Sequence, residues 1–181
     1  MNLYTYTGKI AYPEGAPCLQ DIAVALSREC RYAGNSVHWW CVALHSFVVA
    51  DLLPDELKIH GLMHDAAECI TGDVPKPCKL PEIEEMEDGI IRRIYFSLGL
   101  RWPTEEQQKL IHEADYNAAC GEIHAGAGTL ALREIYPDHP RSNDLVKFYR
   151  RFFPPMDCIT ADSKCVREFM WRYERYNYAV R

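Results

Sequence analysis

Apolar residues recur at helical spacing along most of this chain and predict a fold built from helices. In the first such segment Ile22, Ala25 and Leu26 occupy positions i, i+3 and i+4, and Gly34 ends the pattern. Pro54 stops the second segment, because proline cannot continue a helix. The predicted helices cover 19–30, a start between 36 and 42 through 53, 55–70, 82–98, 105–125, 143–153, and 160–177 with Thr160 as its cap.

Two segments differ from this simple amphipathic pattern. Residues 1–17, with Thr and Tyr alternating at the start, are predicted to form a short strand or an extended arm before the first helix. The first half of the 82–98 helix is acidic, which is typical of a solvated face that complements the helix dipole. Neither segment changes the predicted class, which is all-α.

Length and composition exclude several classes of protein. A chain of 181 residues fits a single domain, 1–181, in which the helices of 143–178 pack on a core of 19–125. No run approaches the ~20 apolar residues of a membrane span and no signal peptide is recognisable, so we expect a cytoplasmic protein without a membrane partner. The net charge of −6 argues against a polymeric nucleic-acid partner. The eight cysteines form no Cys-x-x-Cys pair and are expected to be reduced thiols.

Ionisable side chains interrupt three of the apolar helical patterns. His45 lies on the second predicted helix, His64 and Asp65 on the third, and Asp115 on the fifth. A buried imidazole or carboxylate costs several kcal/mol unless it is paired or ligates a metal. A His-Asp dipeptide alone is a weak signal, for which a buried ion pair or a half-exposed helix face is the commoner reason. Together, two imidazoles and two carboxylates form a mixed ligand set suited to one divalent transition metal such as Mn, Co, Fe, Ni or Zn.

The residues around these positions resemble one enzyme family. The run from His64 to Lys79 reads HDAAECITGDVPKPCK and is similar to the signature of bacterial 5'-deoxynucleotidases and short phage-type phosphohydrolases. Residues 42–46 and 113–115 are similar to their counterparts there. The chain thus resembles the HD-domain metal-dependent phosphohydrolase superfamily, whose pattern is a His on one helix, a His-Asp doublet on the next and a distant Asp.

The resemblance implies an HD-domain helical bundle with a hydrolytic metal site. Independent chemistry agrees, since Glu68 lies three residues after Asp65 on nearly the same helical face and can act there as a general base. The guanidinium of Arg31 suits a phosphate. Lys76 and Lys79 are further candidates for substrate binding because they add positive charge nearby, although exposed lysines beside prolines are usually solvated. The implied roles are metal ligation by His45, His64, Asp65 and Asp115, activation or positioning of water by Glu68 and Asp73, and substrate binding by Arg31 and Tyr32.

Two positions depart from the family pattern. Tyr32 stands where the deoxynucleotidases have Trp, and Asn35 stands where many short relatives have His. The implied function is hydrolysis of (deoxy)nucleoside 5'-monophosphates by a homodimer. The alternative enzyme is a (deoxy)nucleoside triphosphate triphosphohydrolase. The alternative of another class is a catalytically silent nucleotide-binding protein, against which the intact ligand set and Glu68 both argue.

Overall fold

Helices make up most of the protein, which is described here by a computed structural model over residues 2–128, 132–153 and 163–180. A small antiparallel hairpin precedes them, formed by β1 (Asn2–Tyr4) and β2 (Lys9–Ala11). The all-α prediction is thus confirmed, and none of the helices in these ranges has the length and apolar content that crossing a membrane would require. The α-helices are α1 (Leu19–Leu26), α2 (Val42–Leu52), α3 (Lys58–Met63), α4 (Glu68–Thr71), α5 (Pro81–Ser97), α6 (Glu105–His124), α7 (Pro140–Phe152) and α8 (Lys164–Val180).

Helix α2 lies at the centre of the bundle because its sequence is apolar on nearly every side. All of its residues from Val42 to Ala50 are buried, and it contacts α3, α6, α7 and α8. A helix that is hydrophobic all round needs neighbours on every side. Two polar residues, His45 and Ser46, are buried with it. Ser46 donates its hydroxyl hydrogen to the carbonyl of Val42 (3.0 Å), so His45 is the polar group that still requires an explanation.

The prediction of one continuous helix over 55–70 is wrong. Helix α3 ends at Met63 and α4 begins at Glu68. Between them the amide of Ala66 donates to the carbonyl of Met63 (3.0 Å), and the amide of Glu68 donates to the carbonyl of Asp65 (3.0 Å). Hydrogen bonds that reach back three residues tighten the backbone and align side chains three positions apart. The backbone is therefore wound more tightly at the His-Asp doublet, and Asp65 and Glu68 lie on one face.

The first helix is also shorter than predicted, since α1 ends at Leu26 and not at Cys30. Cys30 is extended and forms an isolated antiparallel bridge with Cys41, beside which the amide of Arg31 donates to the carbonyl of Trp40 (3.0 Å). These contacts close the segment between the two cysteines into a loop. The loop carries Arg31 and lies directly before α2, which begins within the predicted interval.

A buried polar network holds α8 against the rest of the bundle. Arg172 on α8 donates to Asp51 Oδ1 at the end of α2 (2.8 Å) and to the hydroxyl of Tyr149 on α7 (2.6 Å). That hydroxyl in turn donates to Asp51 Oδ2. A buried guanidinium requires such partners, so Arg172 joins three helices. The predicted cap Thr160 lies outside the described residues.

Removing the Tyr149 hydroxyl should lower the free energy of unfolding by about 1.5–3 kcal/mol, the range for hydrogen bonds to charged groups. The Tyr149→Phe variant keeps the ring, which packs 5.8 Å from the Phe47 ring, and loses only the contacts with Arg172 and Asp51. Urea unfolding measures the change. Tyr178→Phe removes a hydroxyl from a residue that is 85% exposed and should change stability by less than about 0.5 kcal/mol. Equal stability of the two variants would contradict the network.

Candidate metal centre

Four ionisable side chains from three parts of the chain converge on one point. His45 comes from α2, Asp115 from α6, and His64 and Asp65 from the turn between α3 and α4. His45 Nε2 lies 2.9 Å from Asp115 Oδ1, and His64 Nε2 lies 3.0 Å from Asp65 Oδ2. One ligating atom each from His45, His64 and Asp115 lies within 4.8 Å of the others, and Asp65 Oδ2 is 3.6 Å from His45 Nε2. The fold therefore brings together all the residues predicted as metal ligands.

Both histidines direct the ring nitrogen Nε2 toward this cluster. His64 Nδ1 lies 2.8 Å from the carbonyl oxygen of Gly61, and His45 Nδ1 lies 2.6 Å from Glu122 Oε1. Because these oxygens only accept, each Nδ1 carries the hydrogen, and the neutral ring keeps a lone pair on Nε2. Both Nε2 atoms are buried and face the carboxylates of Asp115 and Asp65 at 2.9 and 3.0 Å, but neither forms a well-aligned hydrogen bond among the described residues. Imidazole nitrogens of this kind beside two carboxylates fit a divalent transition metal.

Charges within the cluster favour a cation at its centre. Burial and Arg31 lower the pKa of His45, but Glu122 and Asp115 outweigh them and raise it to about 9. Burial raises the pKa of Asp65, yet His64 and His45 together hold it at about 2. Protons and metal ions compete for the same nitrogens. The ionised carboxylates of the cluster stabilise positive charge at these nitrogens, whether a proton or a metal ion carries it.

Glu122 is the main residue of this site that sequence reasoning missed. Its side chain is fully buried on α6 and accepts hydrogen bonds from His45 Nδ1 (2.6 Å), the Tyr32 hydroxyl (2.7 Å) and Arg31 Nε (3.1 Å). Burial raises the pKa of Glu122, but Arg31 and His45 outweigh burial and lower it to about 2. One signal was present in the sequence: Glu122 stands seven residues after Asp115, which places both on one helix face.

Glu68 lies beside the cluster with a carboxylate oxygen that is not satisfied. The residue is 7% exposed, and its Oε2 has no hydrogen-bond partner in the described part of the chain. Burial and the charges of Asp65 and Asp73 raise the pKa of Glu68 to about 10. A cation held by Asp65 offsets one of those charges and lowers that pKa. Glu68 also lines a cavity of about 430 Å³, whose lining is His64, Asp65, Ala67, Glu68, Lys76, Lys79, Glu84, Glu87, Asp88 and Ile91.

Arg31 reaches the same place from the loop before α2. Its Nη1 lies 3.8 Å from Asp65 Oδ2, and its side chain is 13% exposed. Nε of Arg31 donates a hydrogen bond to Glu122, and this contact fixes the orientation of the guanidinium. Burial lowers the pKa of Arg31, but the carboxylates around it, led by Glu122, raise that pKa well above its ordinary value. The group is a fixed positive charge beside the predicted metal ligands.

The backbone of this loop is strained and is held by two polar side chains. Tyr32 and Ala33 have φ values of 59° and 50°, and the left-handed region costs such residues about 1–3 kcal/mol each. Asp73 Oδ2 accepts a hydrogen bond from the Tyr32 amide (3.1 Å). The Asn35 amide donates to the carbonyls of Tyr32 and Ala33 (3.2 Å each). Asn35 thus secures the loop that presents Arg31, and the role of Asp73 toward water or the sugar hydroxyl stays a prediction.

Of the remaining residues predicted to bind substrate, Tyr32 contacts Glu122 and Arg31, whereas Lys76 and Lys79 line the cavity. The Tyr32 hydroxyl is engaged by Glu122, and its ring lies 5.5 Å from the Arg31 guanidinium. Lys76 and Lys79 line the cavity. Lys79 Nζ is paired with Glu87 Oε2 at 2.7 Å, which brings the acidic half of α5 into the site. That half of α5 is therefore not simply a solvated face.

Comparison with known proteins agrees with this geometry. A family model described as an HD domain matches residues 27–119, just over half of the chain. The chain belongs to the HD-domain family. The HD-domain match covers His45, His64, Asp65 and Asp115, and it confirms the resemblance found in the sequence. HD domains bind divalent metals, which agrees with the cluster described above.

A similar curated protein is the uncharacterized protein YfdR of Escherichia coli (strain K12). It is 43% identical to this HD-domain protein over 82 residues, which cover 42% of this chain and 46% of YfdR. The chain therefore matches about half the length of this relative.

Proposed function

We propose that this protein is a divalent-metal-dependent phosphohydrolase of (deoxy)nucleotides that releases phosphate from (deoxy)nucleoside 5'-monophosphates. The observation that carries the proposal is the meeting of His45, His64, Asp65 and Asp115, with two unsatisfied Nε2 atoms, beside the unpaired carboxylate oxygen of Glu68. A purely structural ion-pair cluster has no reason to leave three buried polar atoms without hydrogen bonds. Membership of the HD-domain family supports the same interpretation.

The reaction is the addition of water to phosphorus with loss of the sugar oxygen. The four side chains would hold the metal, which lowers the pKa of water from about 15.7 to about 7 and neutralises a phosphoryl oxygen when bound. Glu68 takes the proton of the attacking water through its free Oε2. The bond from phosphorus to the 5'-oxygen breaks, and that oxygen takes up the proton that Glu68 received, so that it leaves as the hydroxyl of the nucleoside.

Arg31 is the residue best placed to bind the phosphate. Its Nε is used by Glu122, which leaves the two terminal nitrogens of the guanidinium as donors, and one of them, Nη1, lies 3.8 Å from Asp65 Oδ2. A guanidinium with two parallel donors fits two phosphate oxygens. The contacts of Glu122, Asp73 and Asn35 with this loop fix the donors before the substrate arrives, which reduces the entropy lost on binding.

The charge of the cavity supports a monophosphate over a triphosphate. Besides Arg31, the cations near the ligands are Lys76 and Lys79, and Lys79 is already paired with Glu87. A tripolyphosphate chain requires several unpaired cations to offset its charge. A buried arginine with little further positive charge among the described residues around it favours one phosphate over three.

A panel of nucleotides tests the proposal. Purified protein is supplied in turn with Mn, Co, Fe, Ni and Zn and is given deoxy- and ribonucleoside 5'-monophosphates and the corresponding triphosphates; it is expected to release inorganic phosphate from several of the monophosphates. Ion chromatography separates phosphate from tripolyphosphate and so distinguishes the monophosphatase from the triphosphohydrolase. Absence of both products with every metal would reject the enzyme and leave the silent nucleotide-binding protein, which calorimetry with the same nucleotides would detect.

A further inference from the structure

One wall of the cavity beside the metal cluster is made by α5. Glu84, Glu87, Asp88 and Ile91 line it, and their spacing of i, i+3, i+4 and i+7 places them on a single face of the helix. Glu68 and the predicted metal ligands His64 and Asp65 also line this cavity. A molecule bound at the cluster and extending into the cavity therefore meets the acidic face of α5.

Negative charge predominates in this cavity. Its lining has four carboxylates, Asp65, Glu84, Glu87 and Asp88, and the carboxyl group of Glu68 against two ammonium groups, Lys76 and Lys79, so that negative charges exceed positive ones even when Glu68 is protonated. Glu87 holds the Lys79 ammonium at 2.7 Å and also accepts the Thr71 hydroxyl hydrogen (3.1 Å). Glu84 and Asp88 are exposed, and Asp88 contacts the exposed Arg92 (2.8 Å). Such an exposed pair contributes little to stability, so a bound molecule can compete with Arg92 for Asp88, and Glu84 lines the cavity on the same helix face.

A second observation independently indicates a ligand with hydrogen-bond donors. Glu68 is more than nine-tenths buried, at 7% exposure, and its Oε2 lacks a partner in the ranges that the structure describes. The same side chain lines the cavity. An unsatisfied buried acceptor destabilises a protein, and a donor from water or from the ligand relieves this cost. The cavity thus has hydrogen-bond acceptors and negative charge next to the predicted metal cluster, where we propose that one phosphate binds.

We propose that Glu84 and Asp88 on α5 limit the substrate to a single phosphate group, by repelling further phosphates while accepting hydrogen bonds from a neutral or cationic leaving group. The substrate class is then a phosphomonoester with a donor-rich alcohol. A phosphomonoester carries about −1.5 to −2 charges near pH 7, and each added phosphate enters the field of the α5 carboxylates. This inference rests on the proposed function, because it assigns a selecting wall to the same site.

Variants that remove charge but nearly keep side-chain shape test the role of Glu84 and Asp88, which we call the α5 wall. The double variant Glu84→Gln, Asp88→Asn removes two negative charges from the cavity. Its matched control, Glu82→Gln with Glu85→Gln, removes the same charge from exposed positions of α5 that do not line the cavity. For each protein, kcat/KM is measured for a nucleoside monophosphate and for the corresponding triphosphate. The wall variant should shift this ratio about tenfold toward the triphosphate, whereas the control should keep the wild-type ratio and the wild-type rate.

Equilibrium binding separates failure of the wall from failure of the proposed function. Calorimetry on metal-loaded proteins that also carry Glu68→Gln gives the ratio of Kd values for AMP and ATP without turnover. A tenfold shift in that ratio, in the wall variant alone, supports the wall even if no nucleotide is hydrolysed. Equal ratios in the wall and control variants, or no binding of either nucleotide by the wall variant, would overturn it, while hydrolysis by the wild-type protein would leave the proposed function intact.

Discussion

The Glu68→Gln variant is expected to lose between about 10²- and 10⁴-fold in kcat while it keeps its metal. Glutamine has nearly the same shape, but its amide oxygen cannot take the proton of the attacking water, and general bases contribute factors of this size. Glu68 is not among the four predicted ligands His45, His64, Asp65 and Asp115, so metal content should not change. The kcat with the best nucleotide of the panel and the metal content are measured on the same sample.

Two further variants show whether the loss at Glu68 is specific. Glu113→Gln changes an exposed residue of α6 only two positions from Asp115, and it should keep both the metal and the rate. Asp65→Asn should lose metal and turnover together. If Glu68→Gln retained the kcat of the wild-type protein, another group would have to be the base, and the assignment of Glu68 would be wrong.

The residues brought together at the metal cluster could be found from the sequence because each one contradicts its surroundings. His45 stands inside a run that the structure buries completely, from Val42 to Ala50. Asp115 follows the buried Ala114 and precedes the buried Ala118. In such positions the free-energy cost of an unpaired polar group is local, so a local pattern reveals it. The helical periodicity that reveals these positions also predicts the all-α fold.

The break between α3 and α4 is a feature that periodicity could not predict. The apolar residues Leu62, Met63, Ala66 and Ala67 have the same spacing whether the amides bond to the third or the fourth residue back. Only the packed structure decides between the two, and here it tightens the backbone at the doublet. The family signature identifies functional residues in this stretch, but it does not specify the backbone conformation around them.

Contacts between distant segments explain what else was missed. Arg31 and Glu122 are 91 positions apart, and Tyr32 and Asp73 are 41 positions apart. Each pair depends on how the loop between Cys30 and Cys41 closes, and no spacing within one element records that closure. Sequence reasoning therefore identified Arg31 and Asp73 by resemblance but did not show that the loop, the metal cluster and α6 share one buried carboxylate.

That shared carboxylate leads to the second large expected effect. Glu122→Gln should weaken metal binding about 10–100-fold, the range for groups that orient a ligating histidine. The introduced amide would have one oxygen acceptor for His45 Nδ1, and its NH₂ group would then face the N–H of Arg31 Nε. Two donors cannot bond each other, so Arg31 would lose the contact that orients it. Leaving a buried guanidinium without its partner costs about 3–5 kcal/mol.

Three measurements on Glu122→Gln distinguish positioning from simple loss of folding. Metal titration should show the weaker Kd. At saturating metal, KM for the monophosphate should rise because Arg31 is misplaced, while Glu68 and the water it deprotonates remain, so that kcat falls less than KM rises. Urea unfolding shows how much folded protein is present at the assay temperature. Glu106→Gln, at an exposed position on α6, is the matched control for the helix. If Glu122→Gln were folded and matched that control in metal Kd and in KM, His45 and Arg31 would hold their positions without Glu122. The hydrogen bonds of Glu122 would then not be what positions these two residues.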